Sequence, residues 1–164
     1  MRRREEIQMS GYYHDLVERG FNVNRGQYED FEKQQTIRSN EDELVYHLAR
    51  TSIIAGTIRF TPAERISGSR YLFNEQMNGE FSRQREVALL FGHAALLDFE
   101  MSQAYDGDLE LGANRDDKDS IRTYKELGFG QTRLLASMDE RIVMLRSGMI
   151  YRRSSLVRRE GKEL

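Results

Sequence analysis

The chain has 164 residues, of which 38% are hydrophobic and 32% charged, with a formal net charge of −2 and no cysteine. This describes one globular domain with room for a substantial core. It excludes a thiol nucleophile, a zinc–thiolate site and a disulfide framework, and gives no overall pull toward nucleic acid or an anionic membrane.

Residues 1–20 open with Arg2-Arg3-Arg4 and read as a helix, with Tyr12, Tyr13, Leu16 and Val17 on its apolar face and Gly20 as its stop. The N-terminus lacks the apolar core of a secretory leader, and no apolar run approaches the ~20 residues of a membrane span; the expected compartment is the cytoplasm. Residues 21–40 are polar, anchored by Tyr28, Phe31 and Ile37. Leu44–Ala49 and Ile53–Phe60 are rich in β-branched and aromatic residues. The polar break Arg50-Thr51-Ser52 makes them an antiparallel hairpin. Pro62, the sole proline, is expected to end the second strand, because it cannot donate to a ladder. Residues 63–79 read as an irregular connection holding Tyr71, Leu72 and Phe73, and a short strand is expected at Met77–Ser82.

Val87–Phe99 is apolar nearly all round and reads as a buried helix, which Gly92, Ala94 and Ala95 would let approach a sheet closely. Asp106-Gly107 marks a turn and Leu109–Ala113 a strand. Asp119–Leu127 is a short amphipathic helix on which Ile121 and Tyr124 share a face, and Gly128 stands where a left-handed C-cap is needed. Asp116, Asp117 and Asp119 lack the alternation of a calcium loop and suit turn and helix-cap roles; no metal is expected. Gln131–Ser137 and Ile142–Leu145 form a hairpin around Met138-Asp139-Glu140. The domain is taken as residues 1–152, followed by a basic polar tail over 153–164. This order is that of an α+β fold, with helices packed on a central mixed, mostly antiparallel sheet.

The stretch Asp119–Phe129, with Ile121-Arg122, Tyr124 and Gly128-Phe129, resembles the "A-I-R-x-Y-x-K-x-G-F" signature of the GNAT superfamily of N-acyltransferases. Ala55-Gly-Thr-Ile-Arg-Phe60 is similar to the "G-x-I-R" of that superfamily's hairpin, and the element order matches from about residue 44 to 147. The resemblance implies a GNAT-like sheet and an acyl-thioester donor: acetyl-CoA, another acyl-CoA or an acyl carrier protein. It implies an amine acceptor, on a small molecule or a protein. One stretch departs from the pattern. GNATs open the long helix with a glycine-rich loop whose backbone N–H groups hold the coenzyme A pyrophosphate. The matching Arg83-Gln-Arg-Glu-Val-Ala-Leu89 has no glycine. On the resemblance, donor contacts fall to Arg83, Gln84, Arg85, Glu86 and Val87, together with Asn114 and Ser120; Asp117 holds the place of a usual asparagine. A narrower set, Arg25…Phe31, Asp42, Arg59-Phe-Thr-Pro62 and Glu80-Phe-Ser-Arg83, resembles the acyl-homoserine-lactone and N-acyl amino acid synthases, which also lack the glycine loop.

Attack of an amine on a thioester needs a base for the amine proton, donors for the oxyanion and a proton for the leaving thiolate. Tyr124 matches the phenol that protonates the thiolate in many GNATs. Glu80 matches a fourth-strand carboxylate that takes the amine proton. Arg59 and Arg25 are candidates for holding a substrate anion. His14, His47 and His93 do not cluster and suit core or rim roles. Two readings from other classes stand beside the enzyme. One is a GNAT-fold protein that no longer catalyses, serving as a homo-oligomer or a subunit of a larger assembly such as a virus particle. The other is an unrelated α+β binding module.

Overall fold

The chain runs through α1 (Gly11–Glu18), β1 (Asn22–Arg25), β2 (Tyr28–Asp30), β3 (Gln35–Ile37), β4 (Leu44–Arg50), β5 (Ile53–Arg65) and β6 (Gly68–Met77). A 3-10 turn (Gly79–Arg83) follows, then α2 (Arg85–Ser102), β7 (Leu109–Asn114), α3 (Lys118–Glu126), β8 (Gly130–Gln131) and β9 (Arg141–Arg146). This computed structural model describes residues 11–26, 28–30, 35–37, 43–66, 68–131 and 141–148, with 28–30, 35–37 and 131 described in backbone only. Phe31, Asp42, the expected strand over 132–137, its turn at Met138–Glu140 and the tail over 153–164 lie outside the described residues.

Among the described residues seven strands form one sheet in the order β1-β4-β5-β6-β7-β9-β8, and β2 pairs with β3 apart from it. Every pairing is antiparallel except β6–β7, which the α2 crossover joins in parallel. The α+β architecture expected from the sequence is therefore present.

Two expectations around the second strand change. β5 does not stop at Pro62 but runs on to Arg65, with Pro62 opposite Tyr71. Among the described residues the β4 pairing ends at Leu44 opposite Phe60, two positions short of Pro62, so the missing N–H breaks no bond of that ladder. The stretch over 63–79, read as irregular, is mostly β6, paired with β5 along its whole length. Met77–Ser82 is not a strand either. Met77 closes β6, and a 3-10 turn follows with Phe81 buried beneath it.

The core forms where one face of the sheet meets α2. Phe60 stacks on Phe99 at 3.9 Å between ring centroids, and Tyr46 and Phe73 meet it edge-on at 5.7 and 5.6 Å. α1 and α3 both pack on α2. Gly92 allows the second of these contacts rather than an approach to the sheet. A Cβ there would lie 2.8 Å from both Cδ atoms of Leu127, which is itself buried just past α3. Gly92→Ala is expected to lower stability by about 1 kcal/mol net, because overpacking of about 1–3 kcal/mol exceeds the gain in helix propensity. Thermal melts check this, and an unchanged or higher midpoint would show that Leu127 moves aside freely.

The end of α3 explains the Tyr-Gly-Phe spacing. Gly128 has φ +102°, its N–H donates to Lys125 O, and the Phe129 N–H donates to Tyr124 O, both at 3.0 Å. This is a Schellman cap, and its usual apolar contact is present as Phe129 against Tyr124, 6.5 Å between centroids. At the other end Asp117 Oδ1 accepts the Ser120 N–H at 3.1 Å, the cap role expected from sequence.

Candidate active site

β6 and β7 are neighbours for only two residue pairs, Tyr71–Leu109 and Leu72–Glu110. Beyond these, β6 runs on to Met77 and β7 to Asn114 with no pairing between them. The sheet opens there into a cleft of about 670 Å³. β6 lines it with Glu75, Gln76 and Met77, the 3-10 turn with Arg83, the start of α2 with Arg85 and Ala88, and α3 and its cap with Asp117, Asp119, Ser120, Arg122 and Tyr124. Phe81 and Phe91 lie in the core and do not fill it.

Glu75 is aimed inward by strand alternation. It lies opposite Ile58, two residues past Phe73, and both of those are buried. The residue as a whole is half-buried, but its carboxyl end is enclosed. Oε2 has no hydrogen-bond partner among the described residues, and burial pushes the carboxyl up to about 8. Tyr124 is half-buried on α3, and its phenol is also raised, first by burial and then by the negative charge of Glu75 and Asp117. The cleft thus brings together a carboxyl that holds its proton up to about 8 and a phenol that keeps its own beyond that.

The 3-10 turn, the start of α2 and α3 each supply a cation. Arg83 is exposed, and neither it nor Arg122 forms an ion pair among the described residues. Arg85 Nη2 lies 2.7 Å from Glu126 Oε1, close enough for an ion pair but not aligned for a hydrogen bond; Nε and Nη2 are buried without one. The first-turn amides of Arg85, Glu86 and Val87 have no acceptor within the helix. The other donor candidates divide. Ser120 lines the cleft. Gln84 precedes α2, its N–H donating to Phe81 O. Glu86 turns out to Arg19 at 2.8 Å, and the Val87 side chain is core. Asn114 Oδ1 accepts the Asp116 N–H at 3.0 Å.

Three sequence candidates stand elsewhere. Glu80 is exposed on the 3-10 turn, not on a strand, and does not line the cleft. Arg59 is paired with Glu43 at 2.6 Å. Arg25 donates to the buried Asp98 at 3.0 Å, and the Tyr46 hydroxyl donates to the same oxygen at 2.5 Å. His47 is buried, and its imidazole is lowered to about 4 by desolvation and then by Arg59; the His93 ring stacks on Tyr12. Among the described residues no cluster of His, Asp and Glu could hold a metal, and no helix is long and apolar enough to cross a membrane.

Sequence reasoning missed Glu75 and Arg122. The alternation Tyr71, Phe73, Glu75 would have marked Glu75, had residues 68–77 been read as a strand. Arg122 carried no signal beyond its place in the motif.

No protein-family model matches the chain, and no curated protein matches it. Solved structures do. A spermidine/spermine N-acetyltransferase from Vibrio cholerae superposes with a TM-score of 0.57 at 11% identity, over 84% of this chain and 98% of that one. A GNAT-family acetyltransferase from Streptococcus pneumoniae gives 0.54 at 12%, over 77% and 99%. An acetyltransferase from Streptococcus agalactiae gives 0.53 at 13%, over 78% and 98%. At these identities the likeness is one of fold, and the fold is that of the GNAT acetyltransferases.

Proposed function

We propose that the protein is an N-acyltransferase. It takes an acyl thioester into the β6–β7 cleft and passes the acyl group to an amine. The observation that carries this reading is the opening between β6 and β7, with Glu75 on one side and Tyr124 on the other. An extended pantetheine arm can run between strands that no longer pair, offering its amide groups to their free backbone edges. Glu75 accepts the proton of the attacking amine, directly or through water, in place of Glu80. Tyr124 protonates the departing thiolate, and its raised phenol keeps that proton available at neutral pH. The acceptor is an amine on a small molecule or a protein, and the site of action is the cytoplasm.

Turnover of acetyl-CoA, longer acyl-CoAs and acyl carrier protein against a panel of amines tests this, and failure to bind any of these thioesters ends it. Tyr124→Phe is expected to lower kcat by about 100-fold with KM little changed. A kcat equal to wild type would remove Tyr124 as the acid. The glycine-free stretch at 83–89 favours a second reading, a fold retained for assembly without catalysis. Light scattering that shows a monomer, together with turnover, excludes it.

A further inference from the structure

The opening between β6 and β7 passes through the sheet. Glu75 lines it from the face packed on α2, and Gln76, next to it on β6, lines it from the other face. On the reading above the donor enters from the helix face, which leaves the outer face to the acceptor. Strand alternation puts Asn74, Gln76, Gly112, Asn114 and Arg141 on that outer face, all exposed, because their neighbours Phe73, Leu111, Ala113 and Ile142 are buried. Arg141 lies opposite Asn114 in the β7–β9 register, and its side chain leans diagonally onto Gly112. A Cβ built on Gly112 would lie 3.5 Å from Nη2 and 3.8 Å from Nε. The glycine therefore lets the guanidinium rest on the strand that borders the opening. Gly112 is two residues past Glu110, where the β6–β7 pairing ends, and Glu75 is three past Leu72, the partner of Glu110. The guanidinium and the proposed base flank the same stretch of the opening from opposite faces. Arg141 forms no ion pair among the described residues, whereas Arg59 on the same face is held by Glu43, and Glu110 by Arg65 and Arg70.

We propose that the acceptor is a free amino acid, which enters from the outer face and is held by its carboxylate on Arg141. This rests on the acyltransferase reading above and narrows its acceptor from amines at large to a small zwitterion. A guanidinium offers parallel N–H donors that match the two oxygens of a carboxylate, in a charge-assisted pair. A neutral or purely cationic amine gains nothing from that fork. Anchored there, the substrate points its amino group into the opening toward Glu75. Its nitrogen, as the free amine, attacks the thioester carbonyl carbon, and the C–N bond forms as the C–S bond breaks. Glu75 takes the proton that the nitrogen loses, and Tyr124 gives the thiolate its proton. The products are an N-acyl amino acid and a free thiol. Arg141 touches the substrate away from the reacting atoms, so its part is binding and orientation.

Turnover of acetyl-CoA and longer acyl-CoAs by the full chain tests the proposal, with α- and ω-amino acids, their primary amides and the corresponding amines without the carboxyl group as acceptors. The best amino acid is expected to exceed its own amide and its decarboxylated amine in kcat/KM by about tenfold or more. Arg141→Gln should raise KM for the amino acid by about tenfold or more with kcat little changed. The same variant should leave KM for the acyl-CoA and kcat/KM for the amide as they are. Arg141→Lys, which keeps the charge without the fork, should fall between. Arg141 is exposed, so thermal melts of both variants should match wild type. The proposal is overturned if amides or plain amines are acylated as well as amino acids, or if Arg141→Gln affects amino acid and amide alike. It is also overturned if another amine is acylated and no amino acid is; the acyltransferase reading survives all three results. Calorimetric titration with the same amino acids separates the two claims where no acyl-CoA is turned over. Binding that Arg141→Gln weakens by about tenfold would uphold the site and remove the acyltransferase reading. Absence of binding by any amino acid would overturn the proposal.

Discussion

Glu75→Gln is expected to remove most turnover while making the folded protein more stable at mildly alkaline pH. Loss of a positioned base lowers kcat by roughly 100- to 10,000-fold. The wild-type pH profile should carry the same residue's mark. A base acts only when ionised, so kcat/KM rises with pH and levels off above about 8, where burial has placed this carboxyl. The stability effect has the opposite sense to that of an ordinary ion-paired carboxylate. Below the normal carboxylate range both folded and unfolded chains hold the proton, and Glu75 contributes nothing to the pH dependence. From there up to about 8 the unfolded chain has released its proton and the folded one has not. The folded state then loses roughly 1.4 kcal/mol for each pH unit. Glutamine has no proton to release and no such slope. Urea unfolding of both proteins at pH ~5 and pH ~8 measures this, and equal slopes would mean that Glu75 ionises freely in the fold.

The second large effect is expected at Arg146, which does not line the cleft. Its Nη1 donates to Glu100 of α2 at 2.7 Å, and its Nε donates to Leu127 O, the C-cap carbonyl of α3, at 2.8 Å. Arg146 and Glu100 are each less than a tenth exposed. One side chain on β9 thus fixes the ends of two helices. Arg146→Met withdraws the cation from a buried carboxylate and should cost about 3–5 kcal/mol. The double variant Arg146→Met/Glu100→Leu should recover most of that loss, because two apolar groups of similar volume need no desolvation of charge. Chemical denaturation of the three variants forms the cycle. A single-variant cost near that of an exposed pair, about 0–1 kcal/mol, would show that water reaches the site.

The motif that led to the fold acquires a physical meaning here. The spacing of Tyr124, Gly128 and Phe129 is what a Schellman cap with its apolar contact requires. It was legible because it is local: a helix of nine residues, a left-handed glycine and an aromatic on the next turn of chain. A capping pattern specifies how a helix ends, so it identified the fold more firmly than the chemistry. Tyr124 reaches the cleft because that cap is set against β6 and α2.

The sequence by itself determined the elements whose pattern lies within a few residues. These are the Leu44–Phe60 hairpin, the apolar α2 and the capped α3. It also settled the absence of thiol chemistry. Tertiary structure decided which carboxylate faces the cleft. Glu80 and Glu75 are five positions apart and chemically alike, but one rides an exposed turn while strand register turns the other into the cleft. It likewise committed Arg25 to Asp98 and Arg59 to Glu43, leaving Arg83 and Arg122 without such partners among the described residues. The reason is physical. A side chain's direction and partners are set by strands and helices that meet across long stretches of chain, and its proton affinity by how deeply those neighbours bury it.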